Sequence, residues 1–276
     1  MKKFIKIEIR RIIDSKRFWL VLLIGCAITV SQYISNVLPC IQYMNIYEKK
    51  DFSMLMPFEW YSKWIGGEYY TLQSFLYFIV LPLLCVIPWG DSLYTDIKTG
   101  YTKNLFIRGK KGHYYAAKYI SSFFSGGVIA VVPILVNIML SCATLPSLVP
   151  ETAAGTNPIF STSMWADLYY SFPDIYVILY MLIIFVYGGL FTLTSVTLGA
   201  FVENRFIVIL MPFIVYLFSY TVLGSFGFAE YVPYYFLSPA QKVNGISLDI
   251  IVIEAMLLFL ITGLVFIYKA KHDETL

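Results

Sequence analysis

Apolar residues of this 276-residue chain gather into long runs that short polar segments separate. A helix that crosses the hydrocarbon core of a bilayer needs about 20 mostly apolar residues. Six runs approach or exceed this length: 18–38, 72–89, 115–145, 175–202, 206–226 and 248–268. The pattern predicts an all-α integral membrane protein with six transmembrane helices, which form a single transmembrane domain over residues 1–276.

Four prolines lie inside these predicted spans: Pro82, Pro88, Pro133 and Pro212. Proline carries no backbone N–H and therefore interrupts the hydrogen-bond ladder of a helix. Neighbouring helices can satisfy the backbone groups that are freed in this way. We expect kinks at these positions and partners for the freed groups on other helices.

The composition supports the membrane class. Hydrophobic residues make up 59% of the chain and charged residues 13%, whereas an average soluble protein has about 45–50% and about 25%. The net charge of +3 and the absence of a long basic arm argue against a nucleic-acid partner. Membrane lipid is the partner that this composition predicts.

The distribution of Lys and Arg predicts the orientation. With the N-terminus inside, sixteen of the 20 Lys and Arg residues fall on the inner side, and an excess of these residues marks the cytoplasmic side of a membrane protein. The outer side has Lys49, Lys50, Lys63 and Lys242. We therefore expect a multi-pass protein of the plasma membrane with both termini in the cytoplasm.

Residues 2–17 precede the first span and have an amphipathic pattern. Ile5, Ile9, Ile12 and Ile13 fall on one stripe at helical spacing, and basic residues surround the stripe. Such a helix lies in the membrane interface with its cations near anionic headgroups. The alternative is a basic flank of the first span that has no structure of its own.

Signals for enzyme chemistry are weak. The only histidines are His113 and His272, and no metal-hydrolase, dinucleotide or phosphate-binding motif is present. Residues 89–93 resemble the nucleophile block of the GDSL esterases, but the Gly-x-Asn-Asp and Asp-x-x-His blocks of that family are absent. We expect no catalytic residue, no metal site and no bound cofactor, and we interpret 90–92 as the end of the second span.

Glu254 is the clearest ionisable residue within a predicted span. Such residues are costly to bury and are functional candidates by default. Glu254 could contact a substrate or a proton. The favoured alternative is that it reaches water at the outer interface or forms a hydrogen bond with a neighbouring Ser or Thr.

The fourth span carries a stripe of small and polar residues, which predicts either close helix packing, including contact between subunits, or a polar transport surface. Its members are Gly188, Gly189, Thr192, Thr194, Ser195, Thr197 and Gly199.

The inner loop at 92–113 is the most informative segment, since it is basic and is broken by glycines. Apolar and aromatic residues recur in it at roughly helical intervals, which favours a small exposed helix that presents them to a partner. These residues are Tyr94, Ile97, Tyr101, Leu105 and Phe106. The alternative is that the loop carries only the orientation signal.

Four features of the chain resemble the membrane subunits of ABC transporters of the ABC-2 type. These permeases have an N-terminal interfacial helix and six spans. Their inner loop carries an acidic residue, a glycine, a Leu and a basic residue, followed by an aromatic-x-x-Lys block that opens the third span. Their re-entrant outer segment before span six has its counterpart here at 227–247, in which the stretch 228–239 closes on Leu-Ser-Pro. The loop residues stand here in the same order as Asp96, Gly100, Leu105, Arg108 and the block 115–118.

The resemblance implies a coupling helix at 94–106 that docks on a cytoplasmic ABC ATPase. The ATPase subunit would hold the ATP and Mg, because this chain has no phosphate-binding loop and is itself no enzyme. The implied ATPase-coupling residues are Tyr94, Asp96, Ile97, Gly100, Tyr101, Leu105 and Arg108. A second permease copy or a paralogue would complete the pathway, in a bacterial plasma membrane.

The outer loop at 39–71 has no counterpart in the resemblance. Trp60, Tyr61 and Trp64 in this loop suit an aromatic belt at the membrane interface.

The function implied by the resemblance is that of a permease subunit that exports a hydrophobic or amphipathic substrate. Antimicrobial peptides such as bacteriocins, lipids and drugs are the candidate substrates. The first alternative is a non-transporting membrane sensor or immunity protein that binds a peptide through its outer loop. The second is a membrane enzyme that acts on lipid, for which the sequence contains no convergent catalytic set.

Overall fold

A computed structural model describes residues 1–42, 58–68, 71–108, 110–151, 159–240 and 243–272. Most of the outer loop predicted at 39–71 lies outside these ranges, as do Lys49, Lys50 and Lys242. Within the described ranges the regular structure is helical. The helices are α1 Lys2–Ile13, α2 Lys16–Gln42, α3 Trp60–Lys63, α4 Leu72–Val86, α5 Ser92–Lys98, α6 Tyr101–Arg108, α7 Lys111–Thr144, α8 Ala166–Ser171, α9 Pro173–Leu198, α10 Arg205–Ser225, α11 Pro233–Leu237 and α12 Leu248–His272.

Five helices of the described chain are long and apolar enough to cross a membrane: α2, α7, α9, α10 and α12. The structure is therefore that of a helical, multi-pass membrane protein with five candidate spans. The predicted second span at 72–89 is shorter than expected, because α4 has 15 residues and ends at Val86. Ile87 keeps helical backbone angles, but Pro88 has no backbone N–H to donate to the carbonyl four residues earlier, which favours an end at this point.

The N-terminal helix also differs from the expectation of 2–17. It ends at Ile13, and Ser15 is extended before α2 begins. Its buried residues are Glu8 and Ile12, while Ile9 and Ile13 of the predicted stripe are exposed. The helix therefore turns a charged residue, Glu8, into the protein. Its position in the membrane interface stays a prediction.

Helices α7 and α9 cross at glycine residues. A Cβ atom on Gly188 would lie 2.8 Å from the carbonyl oxygen of Gly126, so neither backbone tolerates a side chain there. Thr192 is fully buried and donates a hydrogen bond to the carbonyl oxygen of Cys85, 3.0 Å away on α4. The stripe on the fourth span thus packs closely, as predicted, and Gly188 and Thr192 make their contacts within one chain.

Two prolines have their freed carbonyls satisfied by a neighbouring helix, as expected. Pro82 leaves the carbonyl of Phe78 without a helical donor, and the Tyr216 hydroxyl on α10 donates to that oxygen at 2.8 Å. Pro212 frees the carbonyl of Val208, which is four residues earlier. The Ser195 hydroxyl on α9 donates to it at 2.7 Å. We call these two arrangements the proline–hydroxyl pairs.

The aromatic residues of the outer loop are buried, so their assignment to an interface belt was wrong. Trp60, Tyr61 and Trp64 are at most 5% exposed. The Trp60 indole N–H donates to Ser147 Oγ at 3.1 Å, and the Tyr61 hydroxyl donates to Asp174 Oδ1 at 2.8 Å. The chain at 60–67 folds into the bundle because partners for these polar groups are found there.

The outer segment predicted at 227–247 contains a 3-10 turn, Ala229–Tyr231, and the short helix α11. Helix α11 packs against α4, α9 and α10, with Phe236 and Leu237 fully buried. The Ala240 N–H donates to the carbonyl of Gly66 at 3.0 Å, which joins the two outer segments. The outer segment therefore folds back against the helix bundle. That this segment re-enters a membrane stays a prediction.

Candidate functional site

The predicted coupling loop lies at the end of the bundle that carries the N-terminus. We call this end, which comprises α1, α5, α6 and the first turns of α7, the basic end. The expected single helix at 94–106 was wrong, because the loop forms α5 and α6 with a break between them. Gly100 lies in the break with a φ of +70°, a left-handed conformation in which glycine commonly ends a helix.

Asp96 is buried at the centre of the basic end and is 1% exposed. The Arg11 guanidinium contacts both of its oxygens, at 2.6 and 3.1 Å. Lys118 Nζ lies 2.6 Å from Asp96 Oδ2 and 2.7 Å from Glu8 Oε2. Arg11 also contacts Glu8 at 2.8 Å, and the Tyr114 hydroxyl donates to Asp96 at 2.7 Å. We call these five residues the acid–base cluster.

The acid–base cluster joins three separate parts of the chain. Glu8 and Arg11 belong to α1, Asp96 to α5, and Tyr114 and Lys118 to α7. Its two carboxylates and two cations balance in charge, which is the condition under which buried charges are tolerated. The need to supply Asp96 and Lys118 with partners explains why α1 turns Glu8 inward.

Opposing effects set the pKa of the groups at the centre of this cluster. Burial alone would raise the pKa of Asp96, but Lys118 and Arg11 outweigh it and hold that pKa below its usual value. Burial alone would lower the pKa of Arg11, but Asp96 and Glu8 raise it above the usual value. Asp96 and Arg11 therefore stay ionised and paired. The acid–base cluster thus holds α1, α5 and α7 together.

A second set of charges surrounds Asp91, which is 3% exposed. Arg17 of α2 lies 3.0 Å from Asp91 Oδ2, and Arg205 of α10 lies 2.5 Å from the same oxygen. Asp91 thus holds the start of two long helices to the turn between α4 and α5. In the block that resembles an esterase motif, the carboxylate therefore has a structural role.

The predicted coupling residues largely face inward. The Tyr94 hydroxyl donates to the Glu203 carbonyl at 2.9 Å, and the Arg11 guanidinium lies 4.5 Å from the centre of the Tyr101 ring. Ile97 and Leu105 pack against a small core that includes Tyr115 and Phe266. The side chain of Arg108 lies outside the described part of the structure.

The surface that the loop exposes is a different set of residues. Ile107 is 79% exposed. Lys98, Thr99, Lys103 and Asn104 are also exposed. We call these five residues the loop face. The loop face combines two cations with one apolar side chain. A partner protein that docks on the loop would contact this face, because Asp96 and Leu105 lie behind it.

Sequence reasoning missed most of the ion-paired residues. It assigned Arg11 and Lys118 only to orientation and helix entry, and it did not consider Glu8 or Arg205 as partners. The available signal was the presence of acidic residues, such as Glu8 and Asp91, beside segments in which Lys and Arg dominate. A carboxylate that is surrounded by cations at a helix end is a candidate for internal pairing.

Glu254 lies in a separate place, on a groove between α9, α10 and α12. The groove encloses a cavity of about 780 Å³. Glu254 is partly buried there, and no hydrogen bond or ion pair of its carboxyl group is found within the described residues. Of the alternatives for Glu254, a hydrogen bond to a neighbouring Ser or Thr is therefore not found in the described part of the chain.

Comparison of the chain with protein-family models, with curated proteins and with solved structures found no match.

Proposed function

We propose that the chain is the membrane-spanning permease subunit of an ABC transporter of the ABC-2 type. The observation that carries the proposal is the acid–base cluster, which fixes the loop helix α5 to α1 and α7 through buried charges. If an ATPase displaced the loop, this cluster would transmit the motion directly to the long helix α7. The order of Asp96, Gly100, Leu105 and Arg108 supports the same assignment by resemblance.

In this proposal α4 also crosses the membrane, as the second span, and brings the number of spans to six. Its 15 residues cover about 22 Å at 1.5 Å per residue, which is less than the roughly 30 Å hydrocarbon core. Contacts with α2, α7, α9 and α10 surround it, so protein and not lipid meets most of its surface. The basic end is cytoplasmic, in keeping with the excess of Lys and Arg there.

The loop face is the docking surface in this proposal. Its cations Lys98 and Lys103, together with the exposed Ile107, fit a groove on the ATPase that offers carboxylates and an apolar pocket. Asp96, Tyr101 and Leu105 act behind this surface, as residues that position it. A second permease copy or a paralogue encloses the transport pathway, and the substrate is exported.

Co-purification tests the proposal. A tagged chain is purified from its native cells in mild detergent, and bound proteins are identified by mass spectrometry. We expect an ABC ATPase to be recovered with the unaltered chain and to be lost with the double variant Lys103→Glu, Ile107→Ser. The control is Lys271→Glu, which reverses an exposed charge at the same end on α12 and should retain the ATPase.

The other outcomes decide against the proposal. A chain that inserts into the membrane but never recovers an ATPase would contradict the permease assignment. Equal recovery with both variants would contradict the assignment of the loop face. Recovery of a peptide alone would favour the sensor or immunity alternative, although Trp60, Tyr61 and Trp64 are buried and are not free to bind one.

A further inference from the structure

The groove between α9, α10 and α12 has almost entirely apolar walls. Phe191, Met211, Val215, Leu257 and Leu258 contribute to them. Helices α10 and α12 bury few of their residues, so the groove lies on the outer surface of the bundle. An apolar ligand could enter it from the side.

Among the described residues that line the cavity, Glu254 is the only one with a charged side chain. Three of the hydroxyls that line the cavity do not offer it a proton, because each of them donates to a carbonyl. Thr194 donates to Leu190 at 2.9 Å and Ser219 donates to Tyr216 at 2.7 Å. The Tyr216 hydroxyl donates to the carbonyl of Phe78, in the proline–hydroxyl pair of Pro82.

An unpaired carboxylate in an apolar wall is costly while it is ionised, and a cation that reaches it offsets that cost. Within the described chain, the groove contains no cationic side chain. By contrast, the buried carboxylates Glu8, Asp91 and Asp96 each lie beside two cationic side chains. A ligand that brings a positive charge would pair with Glu254 and would cover the apolar walls with its remaining surface.

We propose that this groove binds an amphipathic monovalent cation of drug-like size, with its charge at Glu254 and its apolar body along α10. A volume of about 780 Å³ lies within the range of about 300–1,000 Å³ that small-molecule sites occupy, and it is too small for a folded peptide. The inference concerns binding by this chain alone, so it does not depend on the ATPase partner.

Two ions of matched size and opposite charge test it. Binding of tetraphenylphosphonium and of tetraphenylborate to the purified full chain in lipid nanodiscs is measured by equilibrium dialysis, with empty nanodiscs as the blank. We expect saturable binding of the phosphonium and at least tenfold weaker binding to Glu254→Gln. The matched control is Asp249→Asn, which removes an exposed carboxylate from the same helix and should bind as the unaltered chain does.

A second variant keeps the test decisive if Glu254→Gln fails to fold. Leu257→Trp retains the carboxylate but fills the cavity, and it should weaken phosphonium binding at least tenfold without a change in melting temperature. Equal binding to the unaltered chain and to Glu254→Gln would overturn the inference, as would tighter binding of the borate. Phospholipid or a second copy that occupies the groove and is not displaced by the phosphonium would also overturn it.

Discussion

At the scale of single residues, the buried charges of the described chain are used mainly in internal pairs. Asp96, which the resemblance assigns to ATPase coupling, makes its contacts with Arg11, Tyr114 and Lys118 of its own chain. Removal of one partner from a buried pair leaves an uncompensated charge, which costs far more than the pair contributes. Asp96 is therefore expected to control the position of the loop as well as the stability of the basic end.

Asp96→Asn should lower the stability of the chain by about 3–5 kcal/mol, because Arg11 and Lys118 would lose a buried counter-charge. Thermal unfolding in detergent, followed by tryptophan fluorescence, measures the effect. Asp14→Asn is the control, since the Arg10–Asp14 pair is exposed at 83% and 69% and such pairs contribute about 0–1 kcal/mol. Equal melting temperatures for the two variants would contradict the importance of the acid–base cluster.

The same variant carries a pH signature. Because the pKa of Asp96 is lower in the folded protein, its stabilising effect is complete above the unfolded value of about 4. That effect is lost as the pH falls through the lower folded value. The unaltered chain should therefore lose more stability than Asp96→Asn between about pH 5 and pH 2, and an identical acid dependence would argue against the pairing.

At the scale of helices, hydroxyl groups satisfy the breaks that prolines make in neighbouring helices. Tyr216 of α10 supplies the donor that Pro82 removes from α4, and Ser195 of α9 does the same for Pro212 of α10. Each bond joins two helices at the point where one of them is weakened. These hydrogen bonds thus link α9 to α10 and α10 to α4.

Tyr216→Phe should destabilise the chain by about 1–3 kcal/mol, because the carbonyl of Phe78 would be buried without a donor. In a Pro82→Ala background the same change should cost less, since the introduced alanine would supply the helical N–H. A double-mutant cycle on melting temperatures measures this coupling. Tyr231→Phe, which removes a half-exposed phenol, serves as the control, and additive effects would contradict the pairing.

At the scale of the whole molecule, the excess of cations at one end predicts the orientation in the membrane. We expect a membrane-impermeant maleimide to label Phe160→Cys in intact cells, and to label Lys103→Cys only after the cells are permeabilised. Both variants are made with Cys142→Ser, because Cys142 is exposed. Phe160 and Lys103 are themselves exposed at opposite ends of the bundle, and the reverse labelling pattern would contradict a cytoplasmic basic end.

The hydrophobic pattern predicted the bounds of the long helices within a few residues, because long apolar runs mark the segments that are removed from water. It failed where partners distant in the sequence decide the outcome. Arg11 and Asp96 are 85 residues apart, and nothing near either residue indicates the other. Trp60 and Trp64 have side chains that suit either an interface or a core, and only the contacts made in the fold decide between them. Glu254 was singled out because a carboxylate is rare within a span, and its functional role stays a prediction.

The proline–hydroxyl pairs also constrain which sequences can keep this fold. Their acceptors are main-chain oxygens, which every residue possesses, so Phe78 and Val208 can change identity without loss of either bond. The proline and its hydroxyl donor lack this freedom, because a buried carbonyl that a proline has freed is costly when it has no donor. Pro82 and Tyr216 are therefore expected to covary during evolution, as are Pro212 and Ser195, although each pair is far apart in the sequence.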